Sequence, residues 1–185
     1  MLRNTLEQWG PAAKALHWLV VLLVLGQFVL ASIAEDLPLG TEKIATLARH
    51  KSLGITILLL SALRVLWRFA NPTPAPPAAA RRWERTLASA VHVGLYATLF
   101  LLPLSGWMMS SARNFPVSWF GLVQLPDLVD ADPRTFERMH DAHELLATLL
   151  VVLAATHVAG ALHHHFLHKD DVLRRMLPFT MPRGR

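Results

Sequence analysis

Four long apolar runs, each about the length needed to cross a hydrocarbon core, alternate along the chain with short polar links. They predict spans at about residues 15–34, 48–69, 86–108 and 143–163, within a single membrane domain over residues 1–185. The expected fold is all-α, an integral membrane protein built as a four-helix transmembrane bundle. The first span opens on Leu16, His17 and Trp18, where an indole reads as an interfacial belt residue. Pro38 and Gly40 break the helix in the link from Glu35 to Lys43. The second span begins Arg49, His50, Lys51 and closes on Arg64 and Arg68, whose side chains are expected to snorkel to headgroups rather than meet a cofactor. A proline-rich connection from Asn71 to Pro77 is expected to be extended. The third span holds His92 and, near its far end, Pro103, where a kink is expected. The long connection from Met108 to Asp141 interleaves Trp119, Phe120, Leu122 and Leu125 with prolines. It predicts an interfacial cap containing a short helix from Arg134 to His140.

Composition agrees with the bilayer reading: 53% of the residues are hydrophobic, 17% are charged and the mean hydropathy is +0.36. The chain has no cysteine, which excludes disulfides, thiolate haem ligation and cysteine-held iron–sulfur clusters. Any redox chemistry must therefore rest on histidine and a cofactor. The formal net charge of +5 does not point to nucleic acid, because the cations flank apolar runs and do not line one polar face. Twelve of the 18 Lys and Arg residues fall on one side: Arg3, Lys14, Arg64, Arg68, Arg81, Arg82, Arg85, Lys169, Arg174, Arg175, Arg183 and Arg185. By the positive-inside rule both termini are expected in the cytoplasm, and the first run reads as a retained span rather than a cleaved signal.

The fourth run carries a histidine at each end, His143 and His157. Fourteen helical residues rise about 21 Å and turn about 40° short of four full turns, so the two imidazoles share nearly one face at opposite depths. That spacing suits two stacked haems, each iron needing a second imidazole from another helix; a lone intramembrane histidine would more simply bond a neighbouring helix. Depth sorting pairs His50 with His143 near the periplasmic side. His17, His92 and His157 lie near the cytoplasmic ends of their spans, leaving His17 or His92 as partner for His157. His140 competes with His143, since helix starts shift by a few residues. His163, His164 and His165 point about 100° apart on an α-helix and do not converge; with His168 they leave at most a weak zinc site.

In their order and spacing, Leu16-His17-Trp18, Arg49-His50-Lys51 with Gly54, His92 with Gly94 and Tyr96, Leu102-Pro103, Ala142-His143-Glu144, and His164 to Asp170 with Leu173 to Pro178 resemble the bacterial cytochrome b561 family. The resemblance covers nearly the whole chain. It implies two b haems within four helices of the bacterial inner membrane, His17 with His157 holding the cytoplasmic haem iron and His50 with His143 the periplasmic one. It also implies electron transfer between a periplasmic reaction and a quinone, with His164 at a quinone-binding position. His163 and His168 match no family histidine.

The function expected on these grounds is a superoxide:quinone oxidoreductase, taking electrons from superoxide outside and reducing ubiquinone, with no obligatory protein partner. Arg49 and Lys51, flanking His50, would attract the anion. One alternative is a cytochrome b anchor carrying quinol electrons for a dehydrogenase partner. A third is a histidine-rich metal transporter, against which stands the lack of carboxylates within the spans beyond Glu144 at an edge.

Overall fold

The structure, a computed structural model, describes residues 2–77 and 80–178. Arg183 and Arg185, counted above among the cytoplasmic cations, lie outside the described residues. Four helices are long and apolar enough to cross a membrane: α1 (Pro11–Asp36), α2 (Thr41–Phe69), α3 (Arg82–Ser111) and α4 (Pro133–His163). Each extends beyond the run that predicted it, because helical hydrogen bonding continues into the headgroup region where polar side chains are welcome. Local signals set the ends. Pro11 occupies the first turn of α1, and Leu37, just before Pro38, is driven to extended backbone. Glu84 accepts from the Arg81 backbone N–H at 2.8 Å, capping the start of α3. Asp132 caps α4, accepting from the Thr135 N–H at 2.8 Å and its hydroxyl at 2.6 Å.

That last cap corrects one expectation. There is no separate helix from Arg134 to His140; those residues form the first turns of α4 itself. Pro103, where a kink was expected, sits inside α3, which runs to Ser111.

The connection between α3 and α4 is an ordered lid, held by a two-stranded antiparallel hairpin, β1 (Ser118–Trp119) and β2 (Val123–Gln124), in register Ser118 to Gln124. Its turn places Phe120 at φ 52° and Gly121 at φ 73°, the left-handed pair that a tight hairpin requires. Ser52 on α2 accepts from the Phe120 N–H and donates toward the Ser118 carbonyl, both at 3.0 Å. The Trp119 indole donates to Thr56 at 3.1 Å.

At the opposite end both termini meet the α2–α3 linker. The Trp18 indole donates to the Met176 carbonyl at 2.9 Å, so this ring ties α1 to the short helix α5 (Val172–Met176). Asn4 donates to the Pro72 carbonyl at 3.1 Å and accepts from Gly10 N–H at 2.9 Å. These two ends are called the hairpin end and the terminal end below.

Packing is inverted relative to a water-soluble bundle. Leu22, Leu25, Val29, Leu59, Leu101 and Val152 face outward, where lipid is their solvent, while Ser52, Ser61, Thr98 and Ser105 are buried between helices. Small residues let the backbones approach: a Cβ on Gly94 would stand 2.9 Å from the Leu153 side chain across α3 and α4. The apolar centre is compact, Val20, Ile57 and Leu99 with Leu23, Val24 and Leu60 around them. On α1 this layer falls between His17 and Gln27, and on α2 between His50 and Arg64, so it separates the two ends of the bundle.

Candidate functional site

The histidines fall into two groups on either side of that apolar layer. At the hairpin end the rings of His50 (α2) and His143 (α4) have centroids 6.3 Å apart and planes at 63°. At the terminal end His17 (α1) and His157 (α4) repeat the arrangement, 6.3 Å apart at 77°. A metal bound at about 2.0 Å by an imidazole nitrogen lies roughly 3.1 Å from the ring centroid, so two imidazoles on opposite sides of one ion have centroids about 6.3 Å apart. Both pairs meet that requirement. His92 does not, since its centroid is 5.1 Å from that of His157, too close for an ion to sit in line between the rings.

Each ring is placed by its surroundings. Ser105 donates its hydroxyl hydrogen to the Leu102 carbonyl at 2.8 Å, so its contact with His143 Nδ1 at 3.1 Å is one in which the imidazole donates. With the proton on Nδ1, Nε2 is left as the lone-pair atom. Gly106 makes room for the ring: a Cβ there would lie 3.0 Å from His143 Cε1. On the other wall Gln27 donates to the His50 carbonyl at 2.9 Å, and a Cβ on Gly54 would lie 3.2 Å from the Gln27 amide. His17 and His50 each bury an Nδ1 atom with no hydrogen-bond partner among the described residues, a cost that contact with a bound group would offset.

A cavity of about 680 Å³ opens at the hairpin end, lined by His50, His143, Gln27, Gly54 and Gly106, within the size range of cofactor sites. Lys43, Lys51, Glu35, His140 and Glu144 also line it. Of the two cations flanking His50, Lys51 reaches the cavity wall, its ammonium 5.6 Å from the Phe115 ring. Arg49 is exposed on the surface. His140 faces Glu144 at 3.6 Å, away from a ligand role beside His50.

Two imidazoles per level cannot complete the coordination of an iron, and among the described residues no group of three or more His, Cys, Asp or Glu is arranged to hold a metal ion. The donor set therefore fits a metal whose remaining ligands come from a macrocycle. No such group lies in the His163 to His168 tract either. Arg64 and Arg68 stack on aromatic rings, Arg64 5.5 Å from Tyr96 and Arg68 5.8 Å from Trp9.

His164 lies beyond the terminal-end pair, seven residues after His157, with Nδ1 2.6 Å from Asp170 Oδ2. Sequence reasoning gave no role to Ser105, Gln27 or Asp170. Ser105 stands 38 positions from the ring that it orients, and no local pattern marks such a partner.

Residues 8–179 match the prokaryotic cytochrome b561 family. The chain is 38% identical over 178 residues to cytochrome b561 homolog 2 of Escherichia coli (strain K12), covering 94% of this chain and 93% of that protein. It is 30% identical over 166 residues to cytochrome b561 homolog 1 of the same organism, covering 88% and 93%. A third relative, the probable superoxide oxidase CybB of Yersinia pestis, is 29% identical over 163 residues, covering 88% and 92%. With four membrane-competent helices and an all-histidine donor set, the chain belongs to the prokaryotic cytochrome b561 family and is a multi-pass membrane cytochrome of the haem b type.

Proposed function

We propose that the protein holds two b haems, one between His50 and His143 and one between His17 and His157, and that it oxidises superoxide at the hairpin end and reduces ubiquinone at the terminal end. The observation that carries the reading is the 6.3 Å separation in both ring pairs, at which the two imidazoles of each pair would hold one iron between them. The haems, when bound, supply one-electron redox centres at two depths of the bilayer. The relative named a probable superoxide oxidase supports the choice of donor. With the cation-rich terminal end in the cytoplasm of a bacterial inner membrane, the hairpin end faces outward.

The residues then have separable tasks. Ser105 holds His143 in the tautomer that presents Nε2. Lys43 and Lys51 on the cavity wall attract a small anion from outside, with Arg49 adding to the field at the surface. His164, beyond the inner pair, presents a titratable imidazole to a quinone head and hands it a proton.

The test uses purified, haem-loaded protein in detergent or nanodiscs. Superoxide generated enzymatically should reduce its haem in the absence of any partner protein, and added ubiquinone should then reoxidise it. Reduction no faster than that of free haem would refute superoxide as donor and favour a cytochrome anchor for a dehydrogenase.

A further inference from the structure

Converting a quinone to a quinol takes two electrons and two protons, and protons must reach a site set among apolar helices. Around His164 the structure assembles titratable groups from two separate segments, residues 163–170 and the start of α3. The cause is a change of helix type. From His164 to His168 the chain forms a single π-helical turn, closed by Lys169 and Asp170 N–H groups that both donate to the His164 carbonyl. On an α-helix His163 and His168 would point about 140° apart; the wider turn brings them together, with ring centroids 4.9 Å apart, and sets His164 5.1 Å from His168. The α-helical assumption therefore underestimated this tract. Short π turns recur at functional sites.

Two carboxylates close the set. Lys169 adopts φ 55°, which turns the chain back so that Asp170 Oδ2 lies 2.6 Å from His164 Nδ1, while Oδ1 accepts the Val172 N–H at 3.0 Å. The Asp170 side chain is thus held from both sides. Glu84, in the first turn of α3, places Oε1 3.5 Å from His168 Nε2, and its side chain is 10% exposed. The remaining charges on the adjoining segments are engaged elsewhere: Arg174 faces Asp171 at 3.8 Å and Arg175 donates to the Ala75 carbonyl. Lys169 is exposed.

We propose that Glu84, His168 and Asp170 form with His164 a proton-delivery path from the aqueous face to the quinone, Asp170 acting as the positioning residue that holds the His164 imidazole and stabilises its protonated form. The proposal rests on the quinone reading of His164 given above. Because Nδ1 donates to Asp170, Nε2 is the atom that faces the quinone oxygen. The chemistry balances: two superoxide ions release two electrons and become two dioxygen molecules, and the quinone takes those electrons with two protons to become quinol. Each proton leaves His164 Nε2, and the ring is reprotonated from His168 directly or through one water. His168 is recharged from solution by way of Glu84. The adjoining rings and the carboxylate at each end give the chain a direction, from Glu84 at the start of α3 toward the interior.

The experiment follows reoxidation of prereduced, haem-loaded full-length protein by a short-chain ubiquinone from pH 6 to 9. Asp170→Asn should slow reoxidation about 100-fold, the lower end of general acid–base contributions, and should change the pH profile of the rate; Asp170→Glu should restore both. His168→Gln and Glu84→Gln should slow the reaction most at high pH, where proton supply limits it, and should keep full haem content. Wild-type rates and pH profiles in Asp170→Asn and His168→Gln would overturn the proposal. Should Asp170→Asn lose haem, its role is structural, and a wild-type profile in His168→Gln then overturns the path. If wild-type protein is not reoxidised by the quinone at all, the functional reading fails first and the path falls with it.

Discussion

Ser105→Ala removes one oxygen from a position 6% exposed and leaves the His143 Nδ1–H without its partner 3.1 Å away. Stranding a buried donor costs about 1–3 kcal/mol. Independently, loss of an outer-shell partner of a metal-bound histidine weakens metal affinity about 10–100-fold, which at about 1.4 kcal/mol per tenfold is roughly 1.4–2.8 kcal/mol. The two routes agree, so the haem between His50 and His143 should be held about 10–100-fold less tightly while the haem between His17 and His157 is unaffected. Competition with excess apomyoglobin reads this directly. One equivalent of haem should leave the variant faster than from wild type, and the second should leave at the wild-type rate. Unchanged loss of both, or equal acceleration of both, would refute the claim that Ser105 acts through His143 alone.

Gly106→Ala places a methyl group 3.0 Å from His143 Cε1, so the ring must tilt. The electron paramagnetic resonance signal of one haem should shift and the other should stay. On the proposed pairing of His17 with His157, and with the His92 ring only 5.1 Å from that of His157, His17→Ala should remove one haem and His92→Ala none, read as haem per protein. The converse would reverse that assignment. Lys51→Gln should slow superoxide-driven reduction at low ionic strength and flatten its salt dependence, since exposed charge is screened by salt; equal salt slopes in variant and wild type would count against steering. The Thr135 hydroxyl and N–H hold the Asp132 carboxyl below the usual carboxylate range. Its capping of α4 is therefore complete above the ordinary carboxylate pKa and lost as pH falls through the lowered value. Amide exchange in residues 134–137 should rise over that acid interval in wild type and already be high at neutral pH in Asp132→Ala.

What the chain discloses unaided is set by range. The four helices were legible because hydrocarbon demands long uninterrupted apolar runs, and the histidine pairs because depth follows from counting along a helix. The depths that pair His50 with His143 are the depths at which the structure brings those rings together. At the terminal end depth left His17 and His92 level and the family resemblance favoured His17, whose ring lies 6.3 Å from that of His157 against 5.1 Å for His92. A helix from Arg134 to His140 was expected, but its continuity with the fourth span escaped, since these turns carry Arg134, Glu137 and Arg138 and look like a surface segment. The hairpin escaped because its strands are two residues long and its turn puts Phe120 at positive φ. The convergence of His163, His164 and His168 depends on a π-helical turn, which no periodicity announces.

The central claim is two bis-histidine haems per chain, and the ratio of haem to protein together with the low-spin resonance spectrum of the oxidised protein tests it most directly. Wild type should carry two haems, both low-spin with nitrogen ligands on each axis, and His50→Ala should carry one. A single haem in wild type, a high-spin five-coordinate signal, or two haems retained in His50→Ala would contradict the account.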